Sequence, residues 1–433
     1  MTSEKPQEPQ IGFSDNSPPE STRNSIQDSD VPSSQTLPER NPAIQEGGYG
    51  WVVTISVALI NGHSWGISSA YSVFLAHFLA TDTFPGTTKL QYALVGSLAV
   101  GCTLLISPVA TIAVREVGTR PTMLAGAVLQ SAGLACASLS GQIWHLLLSQ
   151  GVLFGLGMGL LFLPTYGVIP QWFTKRRALA NGIAISGSGL GGFVYSLGAG
   201  AIIRSLGVDW AYRILAIVSL VVNVACALLM RTRYPARPLA FDWSLLKRRD
   251  YILILGFGFF SMLGQFVLVF TLANYANIIG LDASQAAWIP GLFMLGQAIG
   301  RPILGRLSDL YGHVQIAFFM SLLCGIFSLA IWLNATSFGS LIAFALVAGL
   351  VGGVFWVTAA PVMAHVVGLD NLPSGLTILW MTLVLPSTFS SSIALQIFEE
   401  TGKYTGAQIF TGLTFIAAGL CMGYLWRLQL VKS

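Results

Sequence analysis

Acidic side chains are almost missing from the apolar part of this chain. Of 433 residues, 18 are Asp or Glu; eight of them fall within the first 46 residues, and the rest sit in short polar interruptions. Embedded carboxylates are the usual proton relays of membrane transporters, so a relay of that kind is excluded. Cysteine is scarce too. Its five copies, at 102, 136, 226, 324 and 421, lie in apolar runs without disulfide or metal-ligand spacing. No Gly-x-x-x-x-Gly-Lys-Ser/Thr loop occurs, which argues against an ATP-driven pump. The apolar runs hold no carboxylate pair, His/Cys cluster or Ser-His-Asp set, so an enzyme is disfavoured and no cofactor or metal is implied. Residues 1–46 lack the basic, apolar and small-residue order of a signal peptide, so the first apolar run is expected to direct insertion.

What the chain has in abundance is hydrophobicity, at 54%, against 9% charge. Twelve apolar runs, most of them about 20 or more residues long, read as membrane helices. They fall near 51–78, 90–114, 121–140, 143–170, 178–203, 210–230, 251–276, 285–307, 314–333, 338–365, 374–398 and 405–427. The runs are continuous instead of alternating at period two, and they carry Gly and Pro, which argues against a barrel. The expected class is all-α, a polytopic protein in a lipid bilayer. Residues 1–46, rich in Pro, Ser, Gln and Glu, are expected to be a disordered tail.

Basic residues set the expected orientation, because cytoplasmic loops are enriched in Lys and Arg. Arg115, Arg120, Lys175, Arg176, Arg177 and the group from Arg231 to Arg249 mark one side, whereas the other has only Lys89, Arg204, Arg213 and Lys403. Both termini are therefore expected in the cytoplasm, with the cell membrane as the default location. The net charge of +4 reflects this topology and implies no nucleic-acid partner. The sequon Asn334-Ala335-Thr336 falls in an outward loop and is a candidate glycosylation site.

The chain divides into a tail (1–46), a first six-helix bundle (47–230), a basic linker (231–250) and a second bundle (251–433). Gly118 and Gly312 are 194 residues apart, and Gly182 and Gly375 are 193 apart, which suggests a duplicated fold. Two six-helix repeats with a substrate site between them form the architecture of the major facilitator superfamily, in which one half rocks against the other.

Two stretches carry a closer likeness. Glu46-Gly47-Gly48-Tyr49-Gly50-Trp51 and Trp172-Phe173-Thr174-Lys175-Arg176-Arg177-Ala178-Leu179-Ala180-Asn181-Gly182 resemble the two signatures of the monocarboxylate porter family, its fungal members in particular. The resemblance spans residues 46–430 and implies a carrier of small organic anions, with Lys175, Arg176, Arg177 and Asp309 as scaffold and gating residues. There are departures. Proton-coupled lactate carriers of that family have a lysine where this chain has Ser69, and an aspartate where it has Gln297; of that trio only Arg301 is kept. Lactate-carrier proton coupling is therefore in doubt. The ancillary glycoproteins known for animal members are not implied, and an ancillary partner stays unknown.

Arg301 stands out by its chemistry alone: a guanidinium inside an apolar run matches a carboxylate in fork geometry. The competing reading is structural, with Arg301 leaning toward Asp309. In the first run, Asn61, Trp65, Ser68 and Ser72 form one polar stripe, and His63 lies about 200° around the helix from Asn61. His63 is the candidate for proton coupling, yet both faces cannot line one cavity. Tyr166, Asn181, Tyr195, Gln265, Asn274, Gln297, Trp356 and Trp380 complete the candidate wall with Asn61, Trp65, Ser69 and Arg301. Each of these alone is more often a packing residue. Together they imply an amphipathic site with room for rings. Gly187-x-Gly189-x-x-Gly192 fits a dinucleotide fingerprint, but inside an apolar helix it reads as close helix packing.

The expected function is secondary transport of a small organic anion, a monocarboxylate or an acidic secondary metabolite, with import and export both open. Alternatives are a carrier of a neutral solute such as a vitamin, or a nutrient receptor that moves nothing.

Overall fold

Where the apolar runs break decides how the chain crosses the bilayer. The computed structural model describes residues 47–81, 83–233 and 242–432, together with Thr2. The expected tail and the middle of the linker lie outside the described residues. Among them, twelve spans follow in order. Span 1 is Tyr49–His63 plus Trp65–Thr81, broken at Ser64. Span 2 is Lys89–Leu105 plus Ser107–Glu116, bent by 43°. Span 3 is Thr119–Ala137, span 4 Ile143–Gln171, span 5 Arg177–Leu206 and span 6 Val208–Leu229. Span 7 is Arg249–Ile278, span 8 Ala283–Tyr311 and span 9 His313–Ala330. Span 10 is Phe338–Gly368, span 11 Asn371–Thr401 and span 12 Thr405–Lys432.

Eight of these are long and apolar enough to cross a membrane on composition alone, and the bent span 2 makes nine. The other three have visible reasons for falling short: span 1 is interrupted, span 3 carries Arg120, Pro121 and Gln130 in its 19 residues, and span 8 carries Arg301, Arg306 and Asp309. Spans alternate in direction, so both ends of the linker and the outer ends of spans 1 and 12 share one side, called here the linker side. The opposite is the far side. Asn334 is exposed on the far side, its Nδ2 donating to the Ala330 carbonyl at 2.8 Å.

The two halves repeat each other at one turn, although spans 1 and 2 are each broken and spans 7 and 8 are continuous. Gly118 (φ 95°) and Gly312 (φ 104°) each lie just before span 3 and span 9, turning the chain through a backbone region that side chains with a Cβ avoid. Glycine also lets helices touch. A Cβ on Gly187 would sit 1.9 Å from the Ala58 carbonyl oxygen, and one on Gly191 2.4 Å from that of Gly62, so spans 1 and 5 meet backbone to backbone. The Gly187–Gly192 stretch is thus a packing face. Spans 5 and 8 join the halves in the same way: a Cβ on Gly182 would lie 2.4 Å from the Arg301 carbonyl oxygen. Ile299 and Ile303 are 51% and 50% exposed while Arg301 is 5% exposed, which turns the arginine inward and the isoleucines outward.

Both signature stretches meet on the linker side. Trp51 stands edge-on to Phe173 at 5.0 Å, and Tyr49 lies 5.8 Å from Trp172. Arg231 covers the Tyr49 ring at 4.4 Å, while the Tyr49 hydroxyl donates to the Leu229 carbonyl at 2.7 Å. Trp172 donates to the Arg231 carbonyl at 3.1 Å. This clasp ties the starts of spans 1 and 5 to the end of span 6, which accounts for rings and arginines at these positions.

Candidate functional site

A small cavity, about 50 Å³, lies where the halves face each other. Spans 1 and 5 contribute Asn61, Trp65, Ser68, Ser69 and Ser188; spans 7, 8 and 10 contribute Gln265, Gln297, Arg301 and Trp356. Phe162 and Tyr166 of span 4 complete one end. At about 50 Å³ it is far below the ~300–1,000 Å³ of open ligand clefts.

Among the described residues, Arg301 is the sole formal charge on the cavity wall. Its Nη1 donates to the Ile185 carbonyl at 2.7 Å and to the Ser188 hydroxyl, and its Nη2 donates to Gln297 Oε1. All three acceptors are neutral, and two of them belong to span 5, in the opposite half. Its Nε has no protein partner. Four more polar atoms of wall residues share that condition: Asn61 Oδ1, Trp65 Nε1, Gln265 Oε1 and Gln297 Nε2. Each unsatisfied buried group costs roughly 1–3 kcal/mol, so five around one cavity mark a place built to hydrogen-bond something that enters it.

The lower boundary is aromatic. Trp65 lies 5.2 Å from Phe162 and 5.3 Å from Trp356, and Trp356 stacks on Trp380 at 6.0 Å. Tyr166 stands edge-on to Trp380 at 5.0 Å. Rings from spans 1 and 4 thus interlock with rings from spans 10 and 11 across the interface.

The comparisons with known proteins agree on what this architecture is. The sequence profile of the Major Facilitator Superfamily matches residues 53–258 and again 254–432. The chain belongs to the Major Facilitator Superfamily. It is 33% identical over 393 residues to "Probable transporter MCH2" of Saccharomyces cerevisiae, covering 88% of this chain and 83% of that protein. Monocarboxylate transporter 3 of Rattus norvegicus is 28% identical over 404 residues, covering 89% of this chain and 81% of the relative. The crystal structure of the E. coli fucose:proton symporter FucP superposes with a TM-score of 0.65 at 15% identity, covering 86% of this chain and 98% of that one. The likeness to monocarboxylate porters seen in the signatures therefore holds, and this superfamily member is a multi-pass secondary transporter and not an enzyme.

Within this Major Facilitator carrier, the expected site residues separate into groups. Asn61, Trp65, Ser69, Tyr166, Gln297, Arg301 and Trp356 line the cavity. Trp380 lies one ring behind it. Asn181 is a crosspiece, its Nδ2 donating to the carbonyls of Trp356 and Val357 at 3.1 and 2.9 Å across the halves. Asn274 is exposed near the far end of span 7, donating to the Tyr404 hydroxyl at 2.7 Å. His63 ends the first segment of span 1, with Nδ1 2.8 Å from the Leu59 carbonyl and its ring edge-on to Tyr195. Neither His63 nor Tyr195 takes part in the cavity wall.

Asp309 does not pair with Arg301. Its two carboxylate oxygens accept from the backbone N–H groups of Ala178 and Leu179, at 3.0 and 2.9 Å. A span 8 carboxylate thus caps the start of span 5, where free N–H groups and the helix dipole favour negative charge. Arg177 donates Nε to the Phe173 carbonyl at 2.7 Å, while Lys175 and Arg176 are exposed. Thr111 and Thr377 hydroxyls meet at 2.9 Å nearby. Gln265 joins the wall as the sequence suggests, whereas Ser188 and Phe162 were the wall residues least visible in sequence, since a serine in a glycine run and a Phe in an apolar helix give no distinctive signal.

Proposed function

We propose that this transporter carries small monovalent organic anions, with Arg301 as the carboxylate anchor. The observation that carries the reading is a buried arginine on a cavity wall, contacted by neutral acceptors and with Nε free of any protein partner. A carboxylate offers a guanidinium paired oxygens in its own plane and neutralises it in a low-dielectric site. Trp65, Phe162 and Trp356 suit an apolar or ring-bearing body, so acidic aromatic or polyketide-like metabolites fit the wall as well as lactate does. The names of the relatives, monocarboxylate transporters among them, support this class. The linker side is assigned to the cytoplasm on its basic loops, with both termini there and the cell membrane as the location. The domain division at 47–230 and 251–433 follows the same reading.

A second reading has one observation in its favour: three protein groups already accept from Arg301. In that case the arginine joins the halves and the solute is neutral. Uptake of labelled lactate, pyruvate, phenyllactate and a neutral vitamin into proteoliposomes separates the two, with wild type and Arg301→Ala in parallel. Uptake of an acid that the variant loses while staying monodisperse supports the anion reading. Transport confined to the neutral solute, or equal acid uptake by both proteins, overturns it.

A further inference from the structure

Resting on the anion reading, we infer that the transported acid carries a hydroxyl beside its carboxylate, and that Asn61 is the residue that recognises it. The five unpartnered atoms on the cavity wall differ in what they ask of a ligand. Arg301 Nε and Trp65 Nε1 are donors, and so is Gln297 Nε2, because Gln297 Oε1 accepts from Arg301 Nη2. Asn61 is the reverse case. Its Nδ2 donates to the Val57 carbonyl at 2.9 Å and to the Ala184 carbonyl at 3.1 Å, which commits both amide protons and fixes Oδ1 as an acceptor. Gln265 Oε1 turns toward span 10, where a Cβ on Gly352 would stand 3.3 Å from it. The hydroxyls of Ser68 and Ser69 rotate to give or take a proton, so they do not tell one ligand group from another.

Asn61 and Arg301 are anchored one residue apart. Arg301 Nη1 donates to the carbonyl of Ile185 at 2.7 Å, and Asn61 Nδ2 to that of Ala184. Neighbouring carbonyls of span 5 thus bring the acceptor and the guanidinium to one stretch of the cavity, from opposite halves of the molecule. A carboxylate there satisfies donors and has no proton to give. Asn61 Oδ1, on a residue only 1% exposed, then stays unpaired unless the substrate supplies a donor. An ammonium would set a second positive charge beside Arg301, with no carboxylate on the wall among the described residues to offset it. A hydroxyl is the smallest neutral donor. It gives its proton to Asn61 and keeps lone pairs for Trp65 Nε1 or Gln297 Nε2. A 2-oxo acid turns lone pairs toward Oδ1 instead, and an unsubstituted acid leaves it bare. Sites that hydrogen-bond a substrate hydroxyl reject analogues without one for this reason.

The test is a ladder of acids that differ only at the second carbon. Phenyllactate, phenylpyruvate and 3-phenylpropionate compete for uptake of labelled phenyllactate into proteoliposomes, and lactate, pyruvate and propionate compete for labelled lactate. The hydroxy acid of each set is expected to compete at a concentration roughly 10- to 100-fold below the other two. In Asn61→Ala this preference collapses, whereas Ser69→Ala keeps it. Asn61→Ser, a milder change, should bring the oxo acid level with the hydroxy acid, because a rotating hydroxyl serves both. Each ratio is taken within one preparation, so a partly misfolded variant lowers the flux without altering the ratio. Equal competition by all three acids in the wild type, or a hydroxyl preference retained in both Asn61 variants, overturns the inference and leaves the anion reading intact. Uptake of no acid above protein-free vesicles, or the same uptake by Arg301→Ala, overturns both.

Discussion

At the residue scale, the space around Arg301 is set by a neighbour with no side chain. A Cβ on Gly353 would stand 2.9 Å from Arg301 Nε and 3.1 Å from its Cγ. Gly353→Ala therefore displaces the guanidinium without straining its own backbone, whose φ is −76°. Its apparent affinity for the transported acid is expected to fall about tenfold, with a change in stability of roughly 1–3 kcal/mol from overpacking. Substrate titration and thermal unfolding of the same preparation check this, and an unchanged affinity refutes the placement. Arg301→Lys keeps the charge and loses the fork, so binding should weaken by about 10- to 100-fold instead of vanishing. Arg301 was legible in the sequence because a charge inside an apolar run has few explanations. Gly353 was not, because Gly349, Gly352 and Gly353 read alike as packing residues, and only the fold shows which one faces the arginine.

Elements hold the site through spans 5 and 8. Asp309 is the carboxylate that closes their linker-side ends, and an Asn in its place keeps one acceptor oxygen and loses the charge. Loss of capping and of the charge–dipole attraction amounts to about 1–2 kcal/mol. Amide hydrogen exchange at Ala178 and Leu179 should then quicken by roughly tenfold, which corresponds to ~1.4 kcal/mol, while the Gly187–Gly192 stretch stays protected. Equal protection of both segments in Asp309→Asn argues against a latch. The twelve apolar runs were readable from composition, since lipid demands continuous hydrophobic helices. The break at Ser64 in span 1, and that at Gly353 in span 10, between Phe338–Gly352 and the helix that begins at Val354, were not. A helix of Ile, Asn, Gly, His and Ser at 60–64 has no proline to mark the break, and tertiary packing against Gly187 and Gly191 accompanies it. The break did not upset the polar stripe, because Asn61, Trp65 and Ser68 still reach one cavity.

For the whole molecule, the cross-half contacts are uneven. On the linker side stand Asp309 with span 5, Asn181 with span 10 and Thr111 with Thr377, whereas the far side has Ser97 and Ser391 with hydroxyls 3.3 Å apart. Rocking of one half against the other separates one set at a time, and the side with fewer bonds should part first. Cysteine pairs at 97 and 391, and at 111 and 377, in a background without the five native cysteines, report this directly. Oxidation should cross-link both pairs in the empty carrier and stop transport. A ring-bearing acid wider than a cavity of about 50 Å³ should slow cross-linking at 97 and 391 several-fold before it affects the other pair, because binding must prise open the weaker side to make room. The reverse order would mean that the linker side is where the substrate enters, and that the hydrogen bonds of Asp309 and Asn181 are made late in the cycle instead of guarding its start.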